Sequence, residues 1–465
     1  MYRQWILTTA PRTDYAAVVW HRPRADGATA GTTQVRKLTT VQRIAMKAVL
    51  GCYRTTPTAA MEIEADLQPT WLWLQTKVLL STTRMQSLSL RHPIHKWLQN
   101  ALRTRTANIP HRSNLETILQ QFPFMTKELE TIEPYIRPPW WSSKTKFLAI
   151  TGKDAAKASH DELTANLTND TLVVYTDGSG IDEKVGAAIY NHSTSEAVHQ
   201  HLGAQAHYNV YAAELTAIHL AVTQWHTHAV DFPNCYIFTD SQAAGTSIQK
   251  PRRQSGQSII AAILDHIDDI INKHPHRKLT VVWIPGHCNI EGNERTDSEA
   301  KEAATNPALH TSFNYSPLKS SRIQYIKAAA KGQWTKQWTE STRTARQLRQ
   351  ITLKHGVKCG PKIYKSITNR NISAMIMQLR TGHCGLNGYL NRFGKKDSPY
   401  CECGYGKETV EHFLLECRRY RDQRKTLRKS IGGSRMKVRD LLGDVKAIKH
   451  TAEYIKATGR LKDRG

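Results

Sequence analysis

Between residues 170 and 305, short β-branched and apolar runs alternate with stretches whose apolar positions recur every three or four residues. Thr171–Tyr175 (TLVVY) predicts a strand, closed by the turn signal Asp-Gly-Ser-Gly that begins at Asp177. Gly186–Tyr190 and Glu196–Leu202 predict two more short strands. Val210–His226, with Ala213, Ala217, Leu220 and Ala221 on one stripe, predicts a helix. Cys235–Thr239 follows as a second core strand, Gly256–Ile271 (Ile260, Ile263, Leu264, Ile267) as a helix, Leu279–Ile284 as the last strand and Asn293–Ala304 as the last helix. An opening meander followed by alternating strands and helices implies an α/β sheet with helices on both faces. Asp177 and Asp240 are then expected at carboxyl ends of strands, where open α/β sheets place their ligands.

The flanks are helical in pattern. In residues 1–135, Val41, Ile44, Ala45, Ala48 and Val49 form a stripe closed by Gly51, Thr56-Pro57 opens a second helix, and Trp71, Leu74, Val78 and Met85 mark a third. Residues 136–169, from IRPPWW onward, read as a linker. Residues 307–372 read as a helical connector in which Ile323, Ile326, Ala330, Trp334 and Trp338 share one face. Core packing, or in residues 307–372 core or partner packing, accounts for these apolar residues.

Charge changes the picture. The 465 residues are 40% hydrophobic, as in globular chains, but carry a formal net charge of +26. Such an excess repels itself in a compact state and favours polyanionic partners, nucleic acid foremost. No apolar run is long enough to span a bilayer, and no basic amphipathic stretch suggests a membrane surface. The eight cysteines are scattered except for the last three, which is no disulfide framework in a chain this long. An intracellular compartment, the nucleus, is the expectation.

Four carboxylates stand in contexts that would normally be buried or tightly turned: Asp177 in LVVYTDGSG, Glu214 in YAAELTAI, Asp240 in CYIFTDS and Asp297 in HCNIEGNERTD. Buried carboxylates are paired or metal-bound. Brought together, four could not all stay ionised without cations. Two Mg²⁺ would remove that conflict and suit phosphodiester hydrolysis.

The pieces YTDGSG, AAEL, FTDSQAA and VVWIPGHCNIEGNERTDSEAKEA, in that order, resemble the type 1 ribonuclease H domain of non-LTR (LINE-type) retrotransposons over residues 170–306. That resemblance implies a mixed five-stranded sheet and a two-metal site. It assigns Asp177 to both Mg²⁺ ions, Glu214 and Asp240 to the leaving-group side, and Asp297 to the nucleophile side. Mn²⁺ would substitute. His287 matches a loop histidine that moves protons or helps product leave, a task suited to imidazole. Gly178, Ser179 and Gly180 match the reader of the 2′-hydroxyl. Gln242 would touch a base or sugar. Lys250, Arg252 and Arg253 would grip phosphates in place of a basic helix that this chain lacks. Two positions depart from the family: Asn289 stands where Gly is usual, and Thr296 where Ala is usual. Taken singly, Asp177 and Asp240 also read as turn or cap residues, Glu214 as a solvated helix residue, His287 as an ordinary loop histidine and Cys288 as a bystander.

Upstream, DYAAVVW (14–20) and VQRIAMKAVLGCYRTTPTAAMEIEADLQPTWLWLQTK are similar to the stretch after the polymerase palm in non-LTR reverse transcriptases. The palm's paired aspartates are missing, and Asp268-Asp269 lie in a helical pattern. The chain is therefore expected to be the C-terminal part of a longer polyprotein, or a truncated copy.

Downstream, SPYCECGYGKETVEHFLLECRRY offers Cys401, Cys403, His412 and Cys417 as three thiolates and one imidazole for a structural Zn²⁺. Gly404 would let the chain turn back. On a regular helix His412 and Cys417, five apart, lie about one and a half turns from each other, which is workable but not ideal. The pattern, with its lead-in RTGHCGLNGYLNRFG, is similar to the CCHC-type C-terminal zinc module of these elements, here residues 373–425. His383 and Cys384 are spare ligand candidates. Arg418, Arg419, Arg421, Arg424, Lys425, Arg428 and Lys429 lead into a basic tail, 426–465, and read either as a solvated helix face or as a phosphate-binding strip.

The resemblance implies an endonuclease that hydrolyses the RNA strand of RNA–DNA hybrids to 5′-phosphomonoesters, with element RNA and target DNA as further partners. Two rivals remain open. One is a catalytically inactive nucleic-acid-binding remnant. The other is a different nuclease or strand transferase on the same fold.

Overall fold

A computed structural model of the chain describes residues 10–27, 32–104, 111–150, 152, 154–228, 232–309, 313–340, 345–352, 360–432 and 436–461. Cys359 and parts of the basic tail lie outside them. The chain forms two compact units, one of residues 79–327 and one of residues 1–78 with 328–465. Among the described residues no helix is long and apolar enough to cross a membrane.

The unit 79–327 is built on strands β1 (Lys146–Ala149), β2 (Thr171–Ile181), β3 (Lys184–Asn191), β4 (Glu196–Ala204), β5 (Asn234–Thr239) and β6 (Lys278–Trp283). Their order is β1-β6-β5-β2-β3-β4. The meander β2-β3-β4 is antiparallel, while β2-β5, β5-β6 and β6-β1 are parallel. Five helices pack around it: α1 (Ala156–Ala165), α2 (Val210–Thr227), α3 (Gln242–Gln249), α4 (Gln257–Lys273) and α5 (Glu291–Thr305). Alternation along β2 divides the core. Leu172 and Val174 join Ile218, Ile260, Leu264, Ile237 and Val281 on one face. Val173 and Tyr175 join Phe238, Val282 and Leu163 on the other.

The sheet is mixed, as expected, but has six strands instead of five. The added strand β1 lies inside the segment 136–169 expected to be a linker, which also contains α1. Four residues reading KFLA carry too little alternation to stand out; they become a strand because β6 offers a parallel edge from Thr280 to Trp283. The end of β2 also differs. It continues through the glycines to Ile181 and turns at Asp182 and Glu183, both with positive φ. Its parallel pairing with β5 stops at Thr176–Thr239, so Asp177 is the first residue past the parallel pairing, and within the sheet it pairs with Ala188 of β3.

The other unit is mainly helical and contains a turn that carries Cys401 and Cys403. The helix Thr33–Leu50 is capped by Thr32 and ended by Gly51 at φ 64°, as the glycine implies, but the expected stripe is not its buried face: Val41 and Ile44 are exposed, and Val35, Gln42 and Met46 are buried. Ala60, Ile63 and Leu72 pack against Ala330, Trp334 and Trp338. Arg380 and Glu64 form an ion pair of 2.8 Å with side chains 1% and 0% exposed.

Candidate functional site

Each carboxylate of the site is placed by a different element. Glu214 sits in the first turns of α2, whose start is fixed by the Asn209 side chain accepting from the Ala212 backbone. Asp240 follows β5 directly, and its carbonyl accepts from the Trp283 indole at 2.9 Å, which ties β5 to the end of β6. Ser241 then caps α3. Gly178 lets α2 approach β2: a β-carbon there would stand 2.5 Å from the Glu214 backbone nitrogen. By alternation Asp177 points to the face covered by α5, where Asp297 lies.

Asp177, Glu214 and Asp240 bring one carboxylate oxygen each within 4.8 Å of one another. Burial, then Asp240, then Asp297 push Asp177 up to about 7. Glu214 is raised well above the usual carboxylate range by burial and by Asp177 and Asp240. Burial raises Asp240 as well; His287 opposes it and Asp297 adds to it. The Oε2 atom of Glu214 is buried without any hydrogen-bond partner. A buried acceptor with no donor, inside a cluster of like charges, fits a divalent cation: hard oxygen ligands bind Mg²⁺, and a cation removes both the orphan and the repulsion.

Asp297 is not one of the close three. It is partly exposed on α5 and bonds Lys301 at 2.5 Å, one turn on, yet it is near enough to act on both Asp177 and Asp240. His287 is exposed in the loop after β6 at φ 58°. Asn289 has φ 55°, the left-handed conformation that glycine adopts freely and asparagine tolerates best among other residues. The usual Gly and this Asn therefore answer the same backbone demand. Thr296 is buried and turns its hydroxyl back to the Gly292 carbonyl at 2.6 Å, so it fits where Ala is usual. Ser179 is half-buried and Gly180 exposed beyond Asp177, Gln242 is exposed at the start of α3, and Lys250, Arg252 and Arg253 are exposed past its end. Cys288 is half-buried against the apolar core that includes Val282 and Ile290, and its thiol meets the Gly286 carbonyl. Sequence reasoning missed Trp283 as the anchor of Asp240 and Lys301 as the partner of Asp297. The second was legible as an acid–base pair four residues apart on a helix.

A second cluster lies in the other unit. Cys401, Cys403, His412 and Cys417 present four ligand atoms within 4.8 Å. The Cys401 and Cys417 sulfurs are 3.7 Å apart, and the Cys403 sulfur is 3.4 Å from His412 Nε2. Zn–S bonds of about 2.3 Å and Zn–N bonds of about 2.0–2.1 Å at tetrahedral angles require edges of about 3.5–3.8 Å. The thiols are thus spaced for a shared metal and too far apart for a disulfide. Gly404 and Gly406, at φ 72° and 90°, fold the Cys401–Cys403 turn. His412–Glu416 is a π-turn in which the Cys417 N–H donates to the His412 carbonyl at 2.8 Å. This wider winding brings residues five apart onto one face, which a regular helix would not do. Burial raises the Cys403 thiol, but hydrogen bonds from Tyr405, Cys401, His412 and Cys417 outweigh it and hold it below the ordinary thiol range. His383 instead meets the Tyr389 hydroxyl at 2.7 Å, and Cys384 is buried beside Gly382; neither joins the cluster. Of the basic run, Arg419 bonds Glu402, Arg424 the Cys417 carbonyl, and Lys425 Asp422.

Residues 169–305 match the RNase H family. A stretch of 44 residues is 46% identical to the "Retrovirus-related Pol polyprotein from type-1 retrotransposable element R1" of Bradysia coprophila, covering 10% of this chain and 4% of that protein. Among solved structures, RNase H1 from the halophilic archaeon Halobacterium salinarum NRC-1 aligns at 15% identity over 29% of this chain and 96% of its own, with a TM-score of 0.23. The matched span runs from the start of β2 to the end of α5, so the part of the chain that is similar to the RNase H family is the α/β part that carries all four carboxylates.

Proposed function

We propose that residues 169–305 are the catalytic part of a retrotransposon-derived ribonuclease that hydrolyses the RNA strand of RNA–DNA hybrids. The observation that supports this most is the carboxylate cluster itself: Asp177, Glu214 and Asp240 meet past the parallel sheet, with Glu214 Oε2 left unpartnered, inside the segment that matches the RNase H family. Asp177, Glu214 and Asp240, with Asp297 beside them, would hold Mg²⁺. Bound there, Mg²⁺ supplies Lewis acidity for the attacking water and for the leaving oxygen. The water oxygen bonds to phosphorus as the P–O3′ bond breaks, and the proton lost by water is balanced by the proton gained at O3′. The products are a 3′-hydroxyl and a 5′-phosphate. His287, exposed beside Asp240, takes or delivers a proton at this edge. Ser179 and the backbone of Gly178 and Gly180 read the 2′-hydroxyl, and Gln242 meets the neighbouring nucleotide. Cys401, Cys403, His412 and Cys417 hold one structural Zn²⁺ in the other unit, where the basic run after Cys417 meets element RNA or target DNA in the nucleus.

The test is a panel of RNA–DNA hybrid, double-stranded RNA and single-stranded DNA incubated with the full chain and Mg²⁺. Cleavage confined to the RNA of the hybrid is expected. Cleavage of the other substrates would favour a different nuclease, and binding without any cleavage would favour an inactive remnant.

A further inference from the structure

The segment 134–147, which follows the N-terminal helices of its unit and runs into β1, is strapped across α3 and α4. Arg137 bonds Asp265 at 2.7 Å and Asp268 at 3.4 Å, and Lys144 bonds Asp268 at 3.5 Å. Gln249 donates to the Thr145 carbonyl at 2.7 Å. Phe147 packs on α3 so closely that a β-carbon on Gly245 would stand 2.3 Å from its ring. Between this strap and residues 249–253 lies a cleft of about 910 Å³.

The chemistry of the cleft is one-sided. Its lining contains Lys146, Lys250, Arg252 and Arg253, and no Asp or Glu. The strap's other cations are neutralised by α4, but these four have no carboxylate partner among the described residues. Tyr135 in the lining is 76% exposed, and Trp140, between the lining residues Pro139 and Trp141, is 84% exposed. Unpaired cations attract a phosphate backbone. Exposed rings offer faces for unstacked bases, which a duplex keeps paired and does not present.

We propose that this cleft holds a single-stranded nucleic-acid extension adjoining the hybrid. The position of the cleft relative to cleavage rests on the nuclease reading above. Helix α3, capped by Ser241 next to Asp240, runs from Gln242 to Gln249 at the cleft. Its eight residues span about 12 Å, or about three to four stacked nucleotides. A strand leaving the carboxylate cluster along α3 reaches the strap after that distance. The two exposed rings and the four cations then make the strap a specificity element for hybrids with a single-stranded end.

The experiment compares a blunt hybrid with one bearing an iodouracil-substituted single-stranded extension of about 8 nucleotides, within the span such grooves hold. Extensions at either end are tried. Binding to the full chain is measured without divalent cations, then ultraviolet crosslinks are mapped by mass spectrometry. Crosslinks at Tyr135 or Trp140 are expected, with the extended hybrid bound about tenfold more tightly than the blunt one. The Tyr135→Ala/Trp140→Ala pair and the Arg252→Ala/Arg253→Ala pair should each remove most of that advantage, and Tyr135→Phe/Trp140→Phe should keep it. All of these side chains are exposed, and circular dichroism checks folding. No advantage for the extension, an advantage that survives both alanine pairs, or crosslinks mapping only elsewhere would overturn the proposal. Cleavage of the blunt hybrid by the wild type is the separate readout. Crosslinking at the strap without cleavage would sink the nuclease reading and leave the cleft standing, and cleavage without crosslinking would do the reverse.

Discussion

Gly178 lies directly against the start of α2: a β-carbon built on it would stand 2.5 Å from the backbone nitrogen of Glu214. The closest atoms are helix backbone, which cannot swing aside as a side chain can. This contact holds Glu214 over Asp177. Gly178→Ala should therefore force α2 from β2, destabilising the unit by about 1–3 kcal/mol, the usual range for overpacking, and separating the two carboxylates. Thermal unfolding followed by circular dichroism measures the first effect. An unchanged melting temperature would show that α2 has room to move.

The π-turn at His412 sets a second expectation. The full chain should carry about one tightly bound zinc, the count that follows from one four-ligand site. Cys403→Ser with Cys417→Ser should abolish it, and acidification or chelation should release it, because thiolates bind only when deprotonated. Elemental analysis decides; zinc content unchanged by the double substitution would rule the site out.

His219 provides a pH test of the unit 79–327. Burial, and then the facing His266, hold its imidazole down to about 4. It stacks on Phe313 and bonds the Tyr315 hydroxyl. A histidine depressed in the folded state contributes stability that is present above its unfolded value of about 6.5 and is lost as pH falls toward about 4. His219→Gln should flatten that part of the profile. The measurement is the melting temperature of wild type and variant between pH 7.5 and pH 4.5, roughly bracketing that window; parallel curves would contradict it.

The loop after β6 should tolerate change in one place and not in another. Asn289→Gly, at φ 55°, should leave the melting temperature equal or slightly higher, since glycine adopts that conformation without strain. His287→Ala should slow hybrid cleavage by about 10²–10⁴-fold, the usual worth of a proton-transfer group. Cleavage rates with Mg²⁺ in excess test this, and an unchanged rate for His287→Ala would remove it from the mechanism.

The parallel strands and α2, α4 and α5 were legible because each carries its own period: TLVVY and CYIFT for buried strands, and apolar residues three and four apart for the helices. The carboxylates were legible because acids in such apolar runs demand an explanation. Three features were not. β1 is a strand only because β6 has an open edge beside it. The continuation of β2 past Asp177 depends on Gly178 making room for α2, where a local reading sees a turn. The π-turn brings His412 and Cys417 beside Cys401 and Cys403, and no helical period announces it. In the first two cases a partner distant in sequence decides the local conformation.

The central claim is most directly tested by digesting a labelled RNA–DNA hybrid with wild-type protein and Asp177→Asn side by side, with Mg²⁺. The substitution keeps shape and removes the charge that the proposed metals share. It should lower cleavage by orders of magnitude. It should also leave the metal-free fold intact or more stable at neutral and alkaline pH. Asp177 is raised to about 7 when folded, so its contribution is full below the usual carboxylate value and is lost as pH rises through about 7. Wild-type cleavage of the RNA strand, lost in a folded Asp177→Asn, is the result predicted. Equal cleavage by both, or no cleavage by a folded wild type with either Mg²⁺ or Mn²⁺, would contradict the account.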